Sequence, residues 1–248
     1  MIKNLNVSVA MTTFNGERYV SEQMNSIIAQ LEARDELIIG DDGSTDNTLQ
    51  ILEQFAAKDS RIKMLKGNGN SIGIVKNFER VIKACTNDLI LLSDQDDVWV
   101  PNKVEVIKEY FEKDKGLSLM MSDLIVVNQA LETMNESYIK MRGCSTGILR
   151  NIIKNGYVGC ALAFRRELKE FVLPFPKGIP MHDQWIGIVA EMFGKSIMIE
   201  EKLLLYRRYE DNATSLMSNS SPVQKVIWRL KLSVCLMVRK LSRRGSMS

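Results

Sequence analysis

Short apolar runs alternate with stretches of helical periodicity through the first half of the chain, which is how a layered α/β sheet is written in sequence. Asn6 to Met11 reads as a first strand, and Val20, Met24, Ile27, Ile28 and Leu31 then recur at helical spacing over 17–31. Glu36 to Gly40 reads as a second strand, followed by a helix from about Asp46 that buries Leu49, Leu52 and Phe55, with Ser44 or Asp46 as its cap. A third strand over 62–65, a helix over 75–85 and an apolar strand over 88–92 complete this half. Three strands thus end in polar segments, Thr12 to Gly16, Asp41 to Ser44 and Asp94 to Asp97. Open parallel sheets bind ligands beyond such carboxyl ends. The second half is less regular: apolar runs at 117–128 and 157–164, a helix over 182–193 and a strand over 196–206. The polar stretch Asn212 to Pro222 reads as a linker, dividing a domain at 1–211 from a tail at 212–248.

The composition adds mainly an asymmetry of charge. The 248 residues carry 33 Lys and Arg against 30 Asp and Glu, too even for a nucleic-acid wrapper. After Asp211 no acidic residue remains, while Lys225, Arg229, Lys231, Arg239, Lys240, Arg243 and Arg244 give the tail a charge of +7. In that tail Val226, Ile227, Leu230, Val234, Met237, Val238 and Leu241 recur at helical spacing. Such a helix either lies on an anionic bilayer with Trp228 near the interface, or docks onto the domain or onto a second subunit as in a homodimer. Four scattered cysteines match neither a zinc site nor a disulfide scaffold, and no basic leader precedes the first apolar run. A cytosolic chain without a spanning helix is expected, peripheral at the inner face of the plasma membrane if the tail binds lipid.

The strongest chemical signal is Ser93-Asp94-Gln95-Asp96-Asp97-Val98-Trp99. Three carboxylates in four residues at the end of an apolar strand repel one another unless a cation sits among them. An Asp-x-Asp pair offers hard oxygens to Mg2+ or Mn2+, ions that keep open positions for substrate phosphates. Pro101 is placed as the first residue of the next helix. In Asp41-Asp42-Gly43-Ser44-Thr45-Asp46, Gly43 permits a tight turn, and a carboxylate there can accept from an imide N–H such as that of uracil or thymine. Neither glycine motif for nucleotides is present, since Gly67, Gly69 and Gly73 are wrongly spaced and Gly194-Lys195-Ser196 lacks the upstream glycine.

Three segments, Val9 to Gly16, Asp41 to Asp46 and Asp94 to Pro101, resemble in order and spacing the inverting nucleotide-sugar glycosyltransferases of the GT-A fold, over roughly residues 1–210. The resemblance implies a Rossmann-like mixed, mostly parallel sheet flanked by helices. It implies that Thr12, Phe14 and Asp42, with Asn15 and Gln95 beside them, hold the nucleoside of the donor. Asp94 and Asp96 become the metal pair, with Asp96 the direct ligand, and Lys76 and Asn77 fall where the family places donor contacts. Inverting transfer needs a base for the acceptor hydroxyl, and the family's position for it falls on Asp183 in Met181-His182-Asp183-Gln184-Trp185. Asp183 also reads as a helix N-cap.

By the same resemblance Trp99, Gly159, His182 and Trp185 line the acceptor side, and Arg207 or Arg208 neutralises the donor diphosphate. Tyr209 and Glu210 stand where the family commonly has a histidine, which removes that ligand from the expected metal set. The wording of Asp94 to Trp99 is most similar to bacterial rhamnosyltransferases of surface-polysaccharide assembly. The implied reaction moves a sugar from a UDP or dTDP donor to a saccharide or lipid-linked acceptor. A sugar-nucleotide nucleotidyltransferase would show a glycine-rich basic loop after the first strand, which Thr12 to Gly16 is not. A non-catalytic nucleotide-sugar binding subunit would have no use for Asp94, Asp96 and Asp183 together.

Overall fold

The computed structural model describes residues 5–67, 69–208 and 221–244. Its first half is β1 (Val7–Thr13), α1 (Val20–Ile28), β2 (Glu36–Asp41), α2 (Thr48–Lys58), β3 (Ile62–Leu65), α3 (Ile74–Ala84) and β4 (Leu89–Ser93). The second half is β5 (Val98–Trp99), α4 (Lys103–Lys113), β6 (Leu117–Val127), β7 (Thr133–Asn135), α5 (Tyr138–Arg142), α6 (Ile148–Ile153), β8 (Leu162–Arg165), α7 (Lys169–Val172), α8 (His182–Phe193), β9 (Lys195–Arg207) and α9 (Pro222–Arg244). The strands form one sheet in the order β3-β2-β1-β4-β8-β6-β9-β5, with β7 on β6. β3, β2, β1 and β4 are parallel, β8 runs against both β4 and β6, and β9 returns parallel to β6.

The apolar positions that mark the strands are the core. β1 and β4 are buried along their whole length because helices cover both faces, which explains their near-continuous apolar reading. In α1 the expected stripe is buried at Val20, Met24 and Ile27. Of the apolar positions expected to be buried in α2 only Leu52 is fully buried, while Leu49 is on the surface. Register then positions the chemistry: Thr13 lies opposite Asp41, and Met11 opposite Ser93, so the tips of β1, β2 and β4 meet at one edge.

One expectation changes on inspection, and one of the alternatives for the tail is observed. Pro101 does not open α4: it lies in a turn with Asn102, whose φ of +70° is left-handed, and the helix begins at Lys103. The tail helix α9 is docked, with Leu232 and Leu236 buried against the domain. Arg229 donates to the Ile153 carbonyl and Arg239 to those of Phe171, Leu173 and Pro174. Most of the expected linker, and the segment Tyr209 to Thr214, lie outside the described residues.

The amino end of the sheet is tied by one buried carboxylate. Glu36 accepts from Ser8 Oγ at 2.6 Å, from the Thr86 N–H and hydroxyl, and from Lys63 Nζ at 2.7 Å. Burial alone would raise its pKa, but these donors outweigh it and hold the group at about 2. A depressed folded pKa contributes stability above the unfolded value near 4.5, and that stability is lost as pH falls toward 2. Glu36→Gln is therefore expected to cost about 1–2 kcal/mol at neutral pH, after discounting for the exposed Lys63, and almost nothing near the folded pKa. Urea melts across that window check it; a cost independent of pH would reject the charge argument.

Candidate active site

Three loops meet at the carboxyl edge of the sheet and are knitted by polar side chains. Gln95 grips the backbone of Phe14 twice, accepting from its N–H at 2.8 Å and donating to its carbonyl at 2.9 Å. Gly16 is required beneath it, because a Cβ there would stand 2.3 Å from Gln95 Oε1. Asn15, at φ +48°, accepts from the Thr45 N–H through its side chain and donates its own N–H to Ser44. Phe14, held by this frame, still exposes half of its surface at the rim, and Thr12 lies buried behind it. An exposed aromatic on a rigid loop can stack on a planar ring.

Asp41 and Asp42 divide their work. Asp41 closes its own turn through Ser44 and the Gly43 N–H, and also accepts from Thr13. Asp42 reaches across to the segment before α3, accepting from Ser71 Oγ at 2.7 Å and from the N–H groups of Ile72 and Gly73. The expected nucleoside ligand is thus also the anchor of a loop. Lys76 is exposed on α3, whereas Asn77 is buried, donating to the Gly40 carbonyl and accepting from Arg80, and so supports β2 rather than the rim.

The acidic loop is layered. Asp94 and Asp96 retain contact with solvent, while Asp97 is buried. Ligand atoms of Asp94, Asp97 and Cys160 lie within 4.8 Å of one another, a group that does not include Asp96. Asp97 accepts the Arg207 N–H, so it is a structural carboxylate. Burial, followed by the neighbouring Asp96 and Asp183, raises Asp94 to about 7, and burial beside Asp96 and Asp94 raises Asp97 as well. Beneath them Lys103 is buried, donating to the Cys160 carbonyl at 3.0 Å with its ammonium 4.3 Å from the Trp99 ring. Desolvation lowers it to about 8. The residues that could hold a divalent cation such as Mg2+ or Mn2+ are the two solvent-contacting oxygen donors, Asp94 and Asp96. The Cys160 thiol is soft and held protonated by burial and the adjacent carboxylates, which makes it a wall and not a ligand.

Arg207 is not free to meet a diphosphate. It is 2% exposed. Its Nε donates to the Asp96 carbonyl at 2.8 Å and its Nη1 to Gln129 at 2.5 Å, its Nη2 pairs with Glu22, and its plane lies over Tyr19. It is the bolt that joins β9 to the acidic loop and α1. Arg208 is half-buried beside Tyr206.

On the opposite wall Asp183 lies in the first turn of α8, buried, where Asn155 donates to it at 3.1 Å and the Gln184 N–H at 2.6 Å. Desolvation outweighs these donors and raises its pKa to about 6. A Cβ on Gly159 would stand 3.8 Å from the Asp183 Cβ, and the next residue, Cys160, is grouped with Asp94, so the two carboxylates flank the Gly159-Cys160 turn. His182 stacks on Phe78 at 3.9 Å, neither ring nitrogen has a hydrogen-bond partner, and burial lowers it to about 3, so it is neutral. Gly159 gives its missing Cβ space to His182, whose Nε2 would be 2.8 Å away, rather than to an incoming sugar. Trp99 is buried under Lys103, and Trp185 is buried with its ring N–H on the Val172 carbonyl, so neither lines an acceptor surface. Sequence reasoning passed over Asn155, Glu22 and Lys103. Of these only Asn155-Gly156 carried a local signal, a turn dipeptide ahead of the Tyr157 segment.

A mixed, mostly parallel sheet whose strand tips carry clustered carboxylates at the switch in strand order defines an α/β protein, with its candidate ligand site at that edge. The chain belongs to glycosyl transferase family 2, whose profile matches residues 8–172. It is 42% identical over 214 residues to the dTDP-rhamnosyl transferase RfbG of Shigella flexneri, covering 82% of this chain and 72% of that protein. To the uncharacterized glycosyltransferase alr2836 of Nostoc sp. it is 29% identical, covering 84% of this chain and 66% of that one. The fold matches S. aureus TarS in complex with UDP-GlcNAc at a TM-score of 0.69 and 21% identity, covering 88% of this chain and 62% of that chain. It also matches the mannosyltransferase PcManGT from Pyrobaculum calidifontis, in complex with GDP-Man and Mn2+, at 0.61 and 14%, covering 96% and 75%. This is the GT-A fold. The chain therefore spans somewhat less than two thirds of the length of the Nostoc relative and of TarS.

Proposed function

We propose that the protein is an inverting glycosyltransferase that moves a sugar from a UDP or dTDP donor to a hydroxyl of a saccharide or lipid-linked acceptor. The observation that carries the reading is a pair of carboxylates flanking the Gly159-Cys160 turn, solvent-contacting Asp94 at the tip of β4 and buried Asp183 at the start of α8. The pyrimidine donor is supported by the dTDP-rhamnosyl transferase RfbG and by the E. coli enzyme WfgD, named for UDP-Glc and a diphosphoundecaprenol acceptor, 30% identical over 68% of this chain and 64% of its own length. Phe14 offers its exposed ring to the base, and Asp42 accepts from the base N–H while holding the Ser71 loop over it. Asp94 and Asp96 would hold a divalent cation, which would stabilise charge on the departing diphosphate. Asp183, with a pKa near 6, is ionised at neutral pH and takes the proton of the acceptor hydroxyl. The acceptor oxygen forms its bond to the anomeric carbon as the bond to the donor phosphate oxygen breaks, and the electron pair leaves with the nucleoside diphosphate.

Thermal melts with UDP, dTDP and GDP, each with Mn2+ and with chelator, test this. One pyrimidine diphosphate is expected to raise stability by about 2.7 kcal/mol at a hundredfold excess over its Kd, with Mn2+ only. Asp96→Ala is expected to lose that increment. Equal shifts in chelator would sink the metal role, and no shift with any nucleotide would sink the donor.

A further inference from the structure

We propose that α9 and α6 form a platform that seats this protein on an anionic lipid bilayer. The helix α9 carries two apolar stripes on opposite sides. Leu232 and Leu236 face the domain, whereas Val223, Ile227, Leu230, Val234, Met237 and Leu241 face outward along about five turns, with Leu230 63% and Leu241 68% exposed. Docking therefore leaves one complete apolar face of the helix without cover among the described residues. On the helical wheel Lys231 and Lys240, both exposed, flank that face on either side, where their stems can lie along acyl chains and their ammonium groups at phosphates.

A neighbouring element extends the same character. α6 packs beside α9, joined by Arg229 on the Ile153 carbonyl, and exposes Leu149 at 77% and Ile153 at 62%. Arg150 and Lys154, each next to one of them in sequence, are also exposed. No acidic residue occurs from Ser137 to Arg166 or after Asp211, so two segments distant in sequence bring apolar and cationic side chains, and no carboxylates, to one surface. Charge decides among occupants. A second copy would bring another helix of charge +7 against the first, which repels, while an anionic bilayer supplies both the apolar volume and the counter-charge. No described helix is long and apolar enough to cross a membrane, so the contact is superficial. The platform also adjoins the site, because Asn155, two residues past α6, holds Asp183. A lipid-linked acceptor diffusing in the bilayer would reach the base without leaving the surface. That purpose rests on the proposed transfer, but binding is measured without turnover, so the two readings fail separately.

The test is co-sedimentation of the full chain with vesicles of phosphatidylcholine alone and of an equal mixture with phosphatidylglycerol. Binding is expected only to the mixture, weakened by added salt. The pairs Leu230→Glu with Met237→Glu and Lys231→Glu with Lys240→Glu, all at exposed positions, are each expected to lower the bound fraction about tenfold with melting temperature unchanged. No binding to either vesicle, or binding indifferent to both pairs, overturns the proposal. A dimer dissolved by the first pair, without vesicle binding, overturns it in favour of a second copy.

Discussion

Asp183→Asn is expected to bind nucleoside diphosphate as the parent does and to lose turnover by about 10²–10⁴-fold, the contribution of a positioned general base. The amide keeps the shape of the carboxylate and one acceptor oxygen for Asn155 and for the Gln184 N–H. It cannot take a proton. It also removes a buried charge whose desolvation outweighs its hydrogen bonds, so stability should hold or rise slightly. The second arm of the test uses pH. With Asp183 raised to about 6, the parent's turnover should fall as pH drops through that value, and the falling limb should vanish in the variant. Turnover and nucleotide-binding melts, measured on the same preparations, separate a lost base from a lost fold. Full turnover in Asp183→Asn would reject the assignment outright.

How far the chain could be read in advance follows from how local each signal is. β3 and α8 coincide with their sequence ranges, because turn residues bound the first and a helix-period apolar run makes the second. The three acidic or polar strand tips were visible for the same reason: each is a short segment at the end of an apolar run, and parallel register puts such ends together. The roles within those tips were not visible. Composition and spacing leave Asp94, Asp96 and Asp97 alike; only the resemblance singled out Asp94 and Asp96, and burial separates the same two from Asp97. Trp99, Trp185 and Gly159 resemble rim residues by position, yet the first two are core and the third makes room for His182. Each depends on partners distant in the chain: Ser26 and Leu204 on the Trp99 backbone, Arg239 on Trp185, His182 at Gly159. The tail showed one amphipathic face in sequence, where the folded helix has two apolar stripes on opposite sides.

Replacing Arg207 by Met is expected to lower stability by roughly 3 kcal/mol, or about 6–12 °C in Tm for a chain of this size. The guanidinium satisfies the carbonyls of Asp96 and Gln129, faces Glu22 and covers Tyr19, and a methionine of similar length leaves those acceptors buried and unpaired. Half of Glu22 is exposed, so most of the loss comes from the carbonyls and not from the ion pair. The acidic loop then keeps only backbone ties to β9, the Arg207 N–H on Asp97 and the β5 pairing that follows it. Metal-dependent nucleotide binding should therefore weaken together with Tm. Arg207→Lys discriminates this role from direct contact with the diphosphate. If Arg207 met phosphate, a lysine would preserve the charge and alter only KM. As a bolt it cannot be replaced by lysine, whose single ammonium cannot span three acceptors held in a planar fork, and Tm should fall nearly as far as in Arg207→Met. A lysine variant with the parent's Tm would return Arg207 to the donor side of the site.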